Sequence, residues 1–418
     1  MKIRVNAVVV YILAVWFVLS LVTNIIGPLM PSIISDFHLS LTLAGLLPFS
    51  FFVAYGVISI PAGLMFEAWG AKATLLVAFA LNLAGALTFA FFPVYRVAIG
   101  SLFVLGLAMA MLQVVINPLM RTAGGEEHFA FFSVLGQLVF GLASYVGPMI
   151  FTAIGRSQIN LGVLTGIAPH GPTWATLYWL FAAIFALTLL VTLLTRLPTV
   201  ALNSDERAGA WSTYVTLLRQ RQVWAFFLGI AAYVGTEQSL ANWMSQFLAT
   251  YHGVSPTLVG AQEVGLFWGL MSVGCLVGLA LLKLLDARHV LVGACAAAIV
   301  VLAIALLGGR QAALIAFPTL GFCLSVMFSI VFSLALNSVA ENQGALSGIL
   351  CSGILGGAVV PLLVGALGEH IGLRLGLCAV FVTLAYLLTI GLWAKPLVAN
   401  QTVDLRALLS DLRTKISA

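Results

Sequence analysis

The sequence predicts an all-α polytopic membrane protein with twelve transmembrane helices in two bundles of six. Three observations carry that prediction. The first is composition. Of 418 residues, 62% are apolar and only 7% are charged, with a mean hydropathy of +1.14. Soluble domains carry about 25% charged residues, so lipid must be the main solvent of this chain. The second is the set of apolar runs. Crossing the hydrocarbon takes about 20 apolar residues. Twelve runs of that kind lie at 7–31, 43–68, 71–92, 95–121, 128–154, 174–196, 222–249, 258–284, 288–308, 311–335, 344–368 and 373–395. The third is the placement of basic residues. With the N-terminus inside, cytoplasmic segments hold Lys2, Arg4, Lys72, Arg121, Arg196, Arg207, Arg219, Arg221, Lys283, Arg288, Lys395, Arg406, Arg413 and Lys415. Only Arg96, Arg156, Arg310 and Arg374 fall outside. That asymmetry is what the positive-inside rule demands of an even number of spans with both termini in the cytoplasm.

The run at 7–31 superficially resembles a signal peptide. Its apolar stretch is too long for that, and no small-residue cleavage site follows, so it is read as the first span. Short connections then force neighbouring spans to run antiparallel. One connection stands apart. Residues 197–221, "LPTVALNSDERAGAWSTYVTLLRQR", form the main polar linker, with six spans before and six after. This divides the chain into a bundle at 1–196, a cytoplasmic linker at 197–221, a second bundle at 222–396 and a cytoplasmic tail at 397–418. Within the linker, "WSTYVTLLRQ" is expected to lie on the membrane surface as an amphipathic helix. The longest outer loop is "RSQINLGVLTGIAPHGPT".

Several classes are excluded. The net charge of +5 follows the topology and is no nucleic-acid signal. The five cysteines sit in apolar runs without metal or CxxC spacing. The six histidines fall near segment ends. No HExxH and no buried His–acid pair appears, and no soluble output domain exists, so neither an enzyme nor a sensor is expected. No metal or cofactor is expected beyond a coupling ion.

Polar groups inside lipid-crossing helices are costly unless they face a partner or a water-filled cavity. In the first half they are Trp16, Asn24, Asn82, Gln113, Asn117 and Gln137. In the second half they are Tyr233, Glu237, Gln238, Asn242, Trp243, Gln246, Gln262, Glu263, Trp268 and Asn337. Gln113 and Asn117 are four apart and share a helix face. Pro118 follows and loosens that helix. In "AAYVGTEQSLANWMSQFLATY", residues 231–251, Gln238, Asn242 and Gln246 form a stripe at i, i+4, i+8, with Tyr233 and Glu237 on the stripe beside it. Amides donate to and accept from hydroxyls, and tryptophan stacks on the apolar face of a sugar ring. A neutral polyhydroxylated ligand fits this set. Membrane helices also use amides as interhelical glue, and Asn82 is assigned that role.

Two loops echo each other across the halves. "GLMFEAWGAK" (Gly63, Glu67, Gly70, Lys72) resembles the loop motif of the major facilitator superfamily, with Ala68 where that motif has a basic residue. "LLKLLDARHV" occupies the matching place after the eighth span. Such loops are expected to clamp the halves through acid–base pairs and helix ends. Further segments resemble one branch, the fucose–galactose–glucose:proton symporters. These are "YVGTEQSLANW", "MLQVVINPL", "FWGLMSVGCLVGLALL", "GFCLSVMFSIVFSLAL" and "GILGGAVVPLLVGAL". The resemblance implies the major facilitator fold and a monosaccharide carrier with a central cavity. It places Trp16 and Asn24 on the first-span ligand and coupling positions, Gln113 on a fourth-span acid, and Gln137 on a fifth-span sugar-binding glutamine. Asn24 and Gln113 are amides where those symporters have acids, so neither can take up a proton. The remaining carboxylate within a span is Glu237. It is the ion-coupling candidate: it could take a proton, coordinate sodium with neighbouring oxygens, or hydrogen-bond a sugar or helix.

The expectation is therefore a multi-pass carrier of the cytoplasmic (inner) membrane, monomeric in the bilayer, that moves a small hexose-like sugar by alternating access. Sodium coupling, proton coupling and uniport all stay open. The alternative is efflux of amphipathic compounds by the same fold.

Overall fold

The computed structural model describes residues 7–124, 129–155, 173–198, 200, 211–339 and 343–395. The long outer loop at 156–172, much of the linker and the tail beyond 395 lie outside the described residues.

The first span is two helices, α1 (Ala7–Thr23) and α2 (Ile26–Phe37), broken at Asn24–Ile25. Pro28 explains the break. It has no N–H to return to the Asn24 carbonyl, and its ring presses against that same group. α3 (Leu41–Phe91) runs for 51 residues. It starts at Ser40, whose hydroxyl accepts from the Leu43 N–H. Gly70, at φ 79°, turns the chain inside it, so α3 holds the second and third spans. Only glycine adopts that conformation without strain. α4 (Tyr95–Gly124), α5 (Phe129–Gly155) and α6 (Thr176–Leu194) complete the first half. The linker contributes a short helix, α7 (Trp211–Leu218).

The second half opens with α8 (Arg221–His252), stopped by Gly253 in the left-handed conformation, the usual helix terminator. A π-helical turn, Pro256–Gly260, leads into α9 (Ala261–Leu284). α10 (Ala287–Leu307) is capped by Asp286, which accepts from the Arg288 N–H at 2.8 Å. The tenth span is again split, into α11 (Arg310–Leu324) and α12 (Met327–Leu336). The eleventh joins α13 (Gln343–Ser352) to α14 (Gly356–Ile371) through a 3₁₀ turn, and the twelfth joins α15 (Leu373–Leu377) to α16 (Ala379–Trp393).

Ten helical stretches of the described chain are long and apolar enough to cross a membrane. One of them, Leu41–Phe91, supplies two crossings. The 32-residue α8 is long enough as well, but its amides and Glu237 dilute its apolarity. Twelve crossings result, as the sequence predicts. The breaks in the first and tenth spans are additions to that expectation.

Three seams join the halves: α2 to α8, α3 to α14 and α5 to α9. All are tight towards one end of the bundle. Gly27 of α2 lies so close to α8 that a Cβ there would overlap the Ala241 carbonyl. A Cβ on Gly45 would stand 3.1 Å from the Leu362 Cα, and one on Gly265 would stand 3.4 Å from the Tyr145 carbonyl. At the same end, Glu369 of α14 accepts from the Thr42 N–H at 3.0 Å. The carboxylate thus caps the start of α3 from the opposite half, where the helix dipole favours it. The bundle is closed at the end of residues 38–45 and 369–374, and Gln137 of α5 is exposed on the side of the basic end.

Among the described contacts, the basic residues of the loop motifs bond within their own halves. Lys72 donates to the Leu193 and Thr195 carbonyls at 2.8 and 3.0 Å, capping the end of α6 within its own half. Arg288 pairs with Asp286 at 3.1 Å, also within one half. Glu67 does reach beyond the first bundle. Its charge bears on Tyr214 of α7, whose hydroxyl is pushed up by burial first and by Glu67 second.

Candidate functional site

The seams enclose a cavity of about 160 Å³ between the halves. α1 supplies Trp16, and the break after it supplies Asn24. Trp16 meets Phe140 of α5 edge-on, with ring centroids 6.0 Å apart. Gln113 of α4 and Gln137 of α5 complete the polar part of that wall. From α8 come Tyr233, Glu237 and Gln238. α9 adds Trp268, Ser272 and Cys275, and α12 adds Phe328 and Ser329. Among the described residues, Glu237 is the one lining residue of the acidic or basic types.

A polar chain crosses from one half to the other. The Tyr233 hydroxyl donates to Glu237 Oε1 at 2.8 Å. Gln238 Nε2 lies 3.4 Å from Glu237 Oε2 and 3.5 Å from Asn24 Oδ1. Asn24 Nδ2 donates to Ser144 Oγ at 2.8 Å, and Ser144 meets Ser20 at 2.6 Å. Gln238 is therefore the crossing point, and its long contacts leave room for a better partner. Asn24 can occupy this place because the helix break frees local backbone and turns its side chain inward. Trp268 Nε1 is buried beside the cavity without a hydrogen-bond partner. An unpaired buried donor of this kind is costly unless something accepts from it.

Eight candidates from the sequence thus meet at one cavity: Trp16, Asn24, Gln113, Gln137, Tyr233, Glu237, Gln238 and Trp268. Three others do not line it. Asn242 donates backwards to the Gln238 carbonyl at 2.8 Å, at the seam with α2. Trp243 is fully buried and donates to the Pro361 carbonyl at 2.9 Å, fastening α8 to α14. Gln246 Nε2 meets Thr250 near the helix end. The stripe is real, but α8 leaves the cavity after Gln238 and enters the closed seam. The Asn117 side chain lies outside the described residues. Asn82 is fully buried in the first half, its Nδ2 4.0 Å from the Met109 sulfur, consistent with a packing role. Tyr55, Phe140, Ser272 and Ser329 line the cavity without having been singled out. Small hydroxyls and lone aromatics give too little contrast in so apolar a sequence.

Twelve crossings, three seams and a central polar cavity define a two-bundle membrane carrier. The sequence profile of the Major Facilitator Superfamily matches residues 12–354, and the chain belongs to that superfamily. Among its relatives is the glucose/galactose transporter of Brucella abortus, 30% identical over 389 residues, which span 90% of this chain and 91% of the relative. The L-fucose-proton symporter of Escherichia coli is 22% identical over 384 residues, 86% of each chain. Among solved structures, the E. coli fucose:proton symporter in its outward conformation aligns with a TM-score of 0.67 at 20% identity. That alignment covers 93% of this chain and 98% of the other. An inward-facing, occupied bacterial homologue of the human lysosomal transporter Spinster aligns at 0.73 and 16% identity, over 93% and 96% of the two chains.

Proposed function

We propose that the protein is a secondary transporter that carries a small neutral hexose-like sugar across the cytoplasmic membrane by alternating access. The observation that carries this reading is the cavity between the halves, walled by amides and tryptophans from both and containing one carboxylate. Amides from α4, α5 and α8 satisfy hydroxyls as donors and acceptors, and Trp16 offers a ring face for stacking. Hexose relatives at up to 30% identity support the substrate class. The positive-inside rule puts the basic end in the cytoplasm. The closed end then faces outward, and the cavity faces inward.

Coupling is assigned to Glu237. Asn24 and Gln113 carry no proton, and among the described residues no basic side chain lines the cavity to neutralise Glu237. A proton or sodium ion bound there offsets a charge that is costly inside the membrane. The test is uptake of labelled glucose, galactose and fucose into proteoliposomes, with sodium and pH gradients imposed separately. Uptake of at least one hexose, stimulated by one gradient, is expected. No hexose uptake under any gradient sinks the sugar reading, and uptake indifferent to both gradients sinks coupling.

A further inference from the structure

The deep end of the central cavity carries a donor that the protein itself does not use. Along α9 the cavity wall runs from Trp268 to Cys275, and along α8 from Tyr233 to Gln238. One turn closer to the closed end, Gly265 and Asn242 already lie in the seams. Trp268, Gln238 and Asn24 therefore mark the depth of the cavity, where the seams begin.

Their hydrogen bonding differs. Asn24 donates to Ser144, and Gln238 has two long contacts. On the same wall Ser272 donates to the Trp268 carbonyl at 3.1 Å, and Cys275 to the Ser325 carbonyl at 3.4 Å. The Trp268 side chain is 1% exposed, yet its Nε1 has no partner among the described residues. The backbone that carries it is held from two sides. Gly265 and Gly269 let α9 lie against Tyr145 of α5. A Cβ on the first would stand 3.4 Å from the Tyr145 carbonyl oxygen, and one on the second 3.3 Å from the Tyr145 ring. Opposite, the Phe267 carbonyl abuts Gly321 of α11 so closely that a Cβ there would overlap it. The Phe267 ring meets the indole edge-on, with centroids 5.2 Å apart. A phenylalanine at 268 would fill this place without stranding a donor.

An indole N–H donates and never accepts, so it calls for an oxygen with a free lone pair. Glu237 already puts a carboxylate in the same cavity. A second anion is therefore disfavoured, and a hydroxyl fits. We infer that Trp268 sets the specificity of the cavity: its Nε1 donates to one hydroxyl of the bound sugar, the one carried deepest, beside Asn24 and Gln238. This deepens the sugar-carrier reading and rests on it. A sugar that lacks the hydroxyl leaves the N–H buried and unpaired. Sites built to hydrogen-bond a hydroxyl discriminate through that missing partner more than through shape.

The test is competition with labelled hexose uptake into proteoliposomes by the full-length protein. The competitors are the hexose that the parent carries and each of its monodeoxy derivatives. In the parent, one derivative is expected to compete about ten-fold more weakly than the hexose because of the unpaired donor. In Trp268→Phe the hexose itself should weaken by about the same factor, and the deficit of that derivative should vanish. The ratios at the other positions should stay within about two-fold. Benzothienylalanine at position 268 keeps the outline of the indole with sulfur in place of N–H. It should reproduce the Trp268→Phe result, and it decides the matter if Trp268→Phe does not melt like the parent. Parental ratios throughout in a folded variant overturn the inference, and so does an equal fall in every ratio, which marks a packing role. A parent that carries hexose while its variants keep parental ratios overturns this inference alone. A parent that carries no hexose overturns the sugar-carrier reading and this inference with it.

Discussion

The seam between α2 and α8 gives the sharpest test of alternating access. Gly27 approaches the Ala241 carbonyl so closely that Gly27→Ala cannot be accommodated in the closed end. The new methyl would overlap that oxygen and stand 3.3 Å from the Asn242 Cα. Restoring ordinary contact near 3.5 Å moves the two helices apart by roughly 1 Å. Overpacking of this kind costs about 1–3 kcal/mol. The clash exists only while this end is shut, so the whole cost falls on the closed form. The population therefore shifts towards opening at that end by about 5- to 150-fold. Cys275 reports the shift, because it lines the cavity. With the other four cysteines replaced, a membrane-impermeant thiol reagent added at the outer face should label Cys275 faster in Gly27→Ala than in the parent. Labelling from the opposite face should slow. A folded variant with both rates unchanged would refute the idea that this seam is the outer gate.

Three further outcomes follow from named contacts. Asn24→Ala takes one partner each from Ser144 and Gln238 and removes an amide from the cavity wall, and should weaken hexose binding by about 1–3 kcal/mol, read as a raised Kd in titration; Gln246→Ala should stay within two-fold of the parent, and equal losses in the two would contradict the placement of the site. Glu237→Gln should abolish gradient-driven accumulation while leaving sugar exchange at equilibrium intact. Persisting sodium or proton stimulation in that variant would exclude Glu237 from coupling. Lys72→Met removes the charged cap from the end of α6 and should cost about 1 kcal/mol of stability, seen as a lowered thermal midpoint in detergent. An unshifted midpoint would show that water replaces the cap.

Much of the architecture is legible in the sequence because the solvent imposes it. A chain this apolar must satisfy its backbone within each helix, and the basic residues mark which connections lie on which side. The break in the first span is also written there, in "NIIGPLMP", where Pro28 removes the donor that the Asn24 carbonyl needs. Counting apolar length alone passes over it. The break in the tenth span is different. Nothing in "GFCLSVMF" itself stops a helix. The turn at Ser325 depends on Gly274 and Gly278 of another span, which let α9 lie against it. The site divides in the same way. Helical spacing places Tyr233 next to Glu237, and the two are hydrogen-bonded at 2.8 Å. Spacing also groups Gln238, Asn242 and Gln246, yet the cavity ends between the first two. Where a seam closes over a helix is a property of two helices, and one period cannot report it.

The interruption at Asn24–Ile25 has a mechanical consequence. α1 is tied to α5 through Ser20, Asn24 and Ser144, whereas α2 leans on α8 of the other half. The two pieces of one span therefore answer to different bodies. If the outer gate opens by tilting α2 alone, a twelve-residue lever moves instead of a six-helix bundle. The pivot of that lever is the residue whose amide faces the cavity. A ligand that draws Asn24 towards itself pulls on the hinge directly, so occupancy and gating share one side chain.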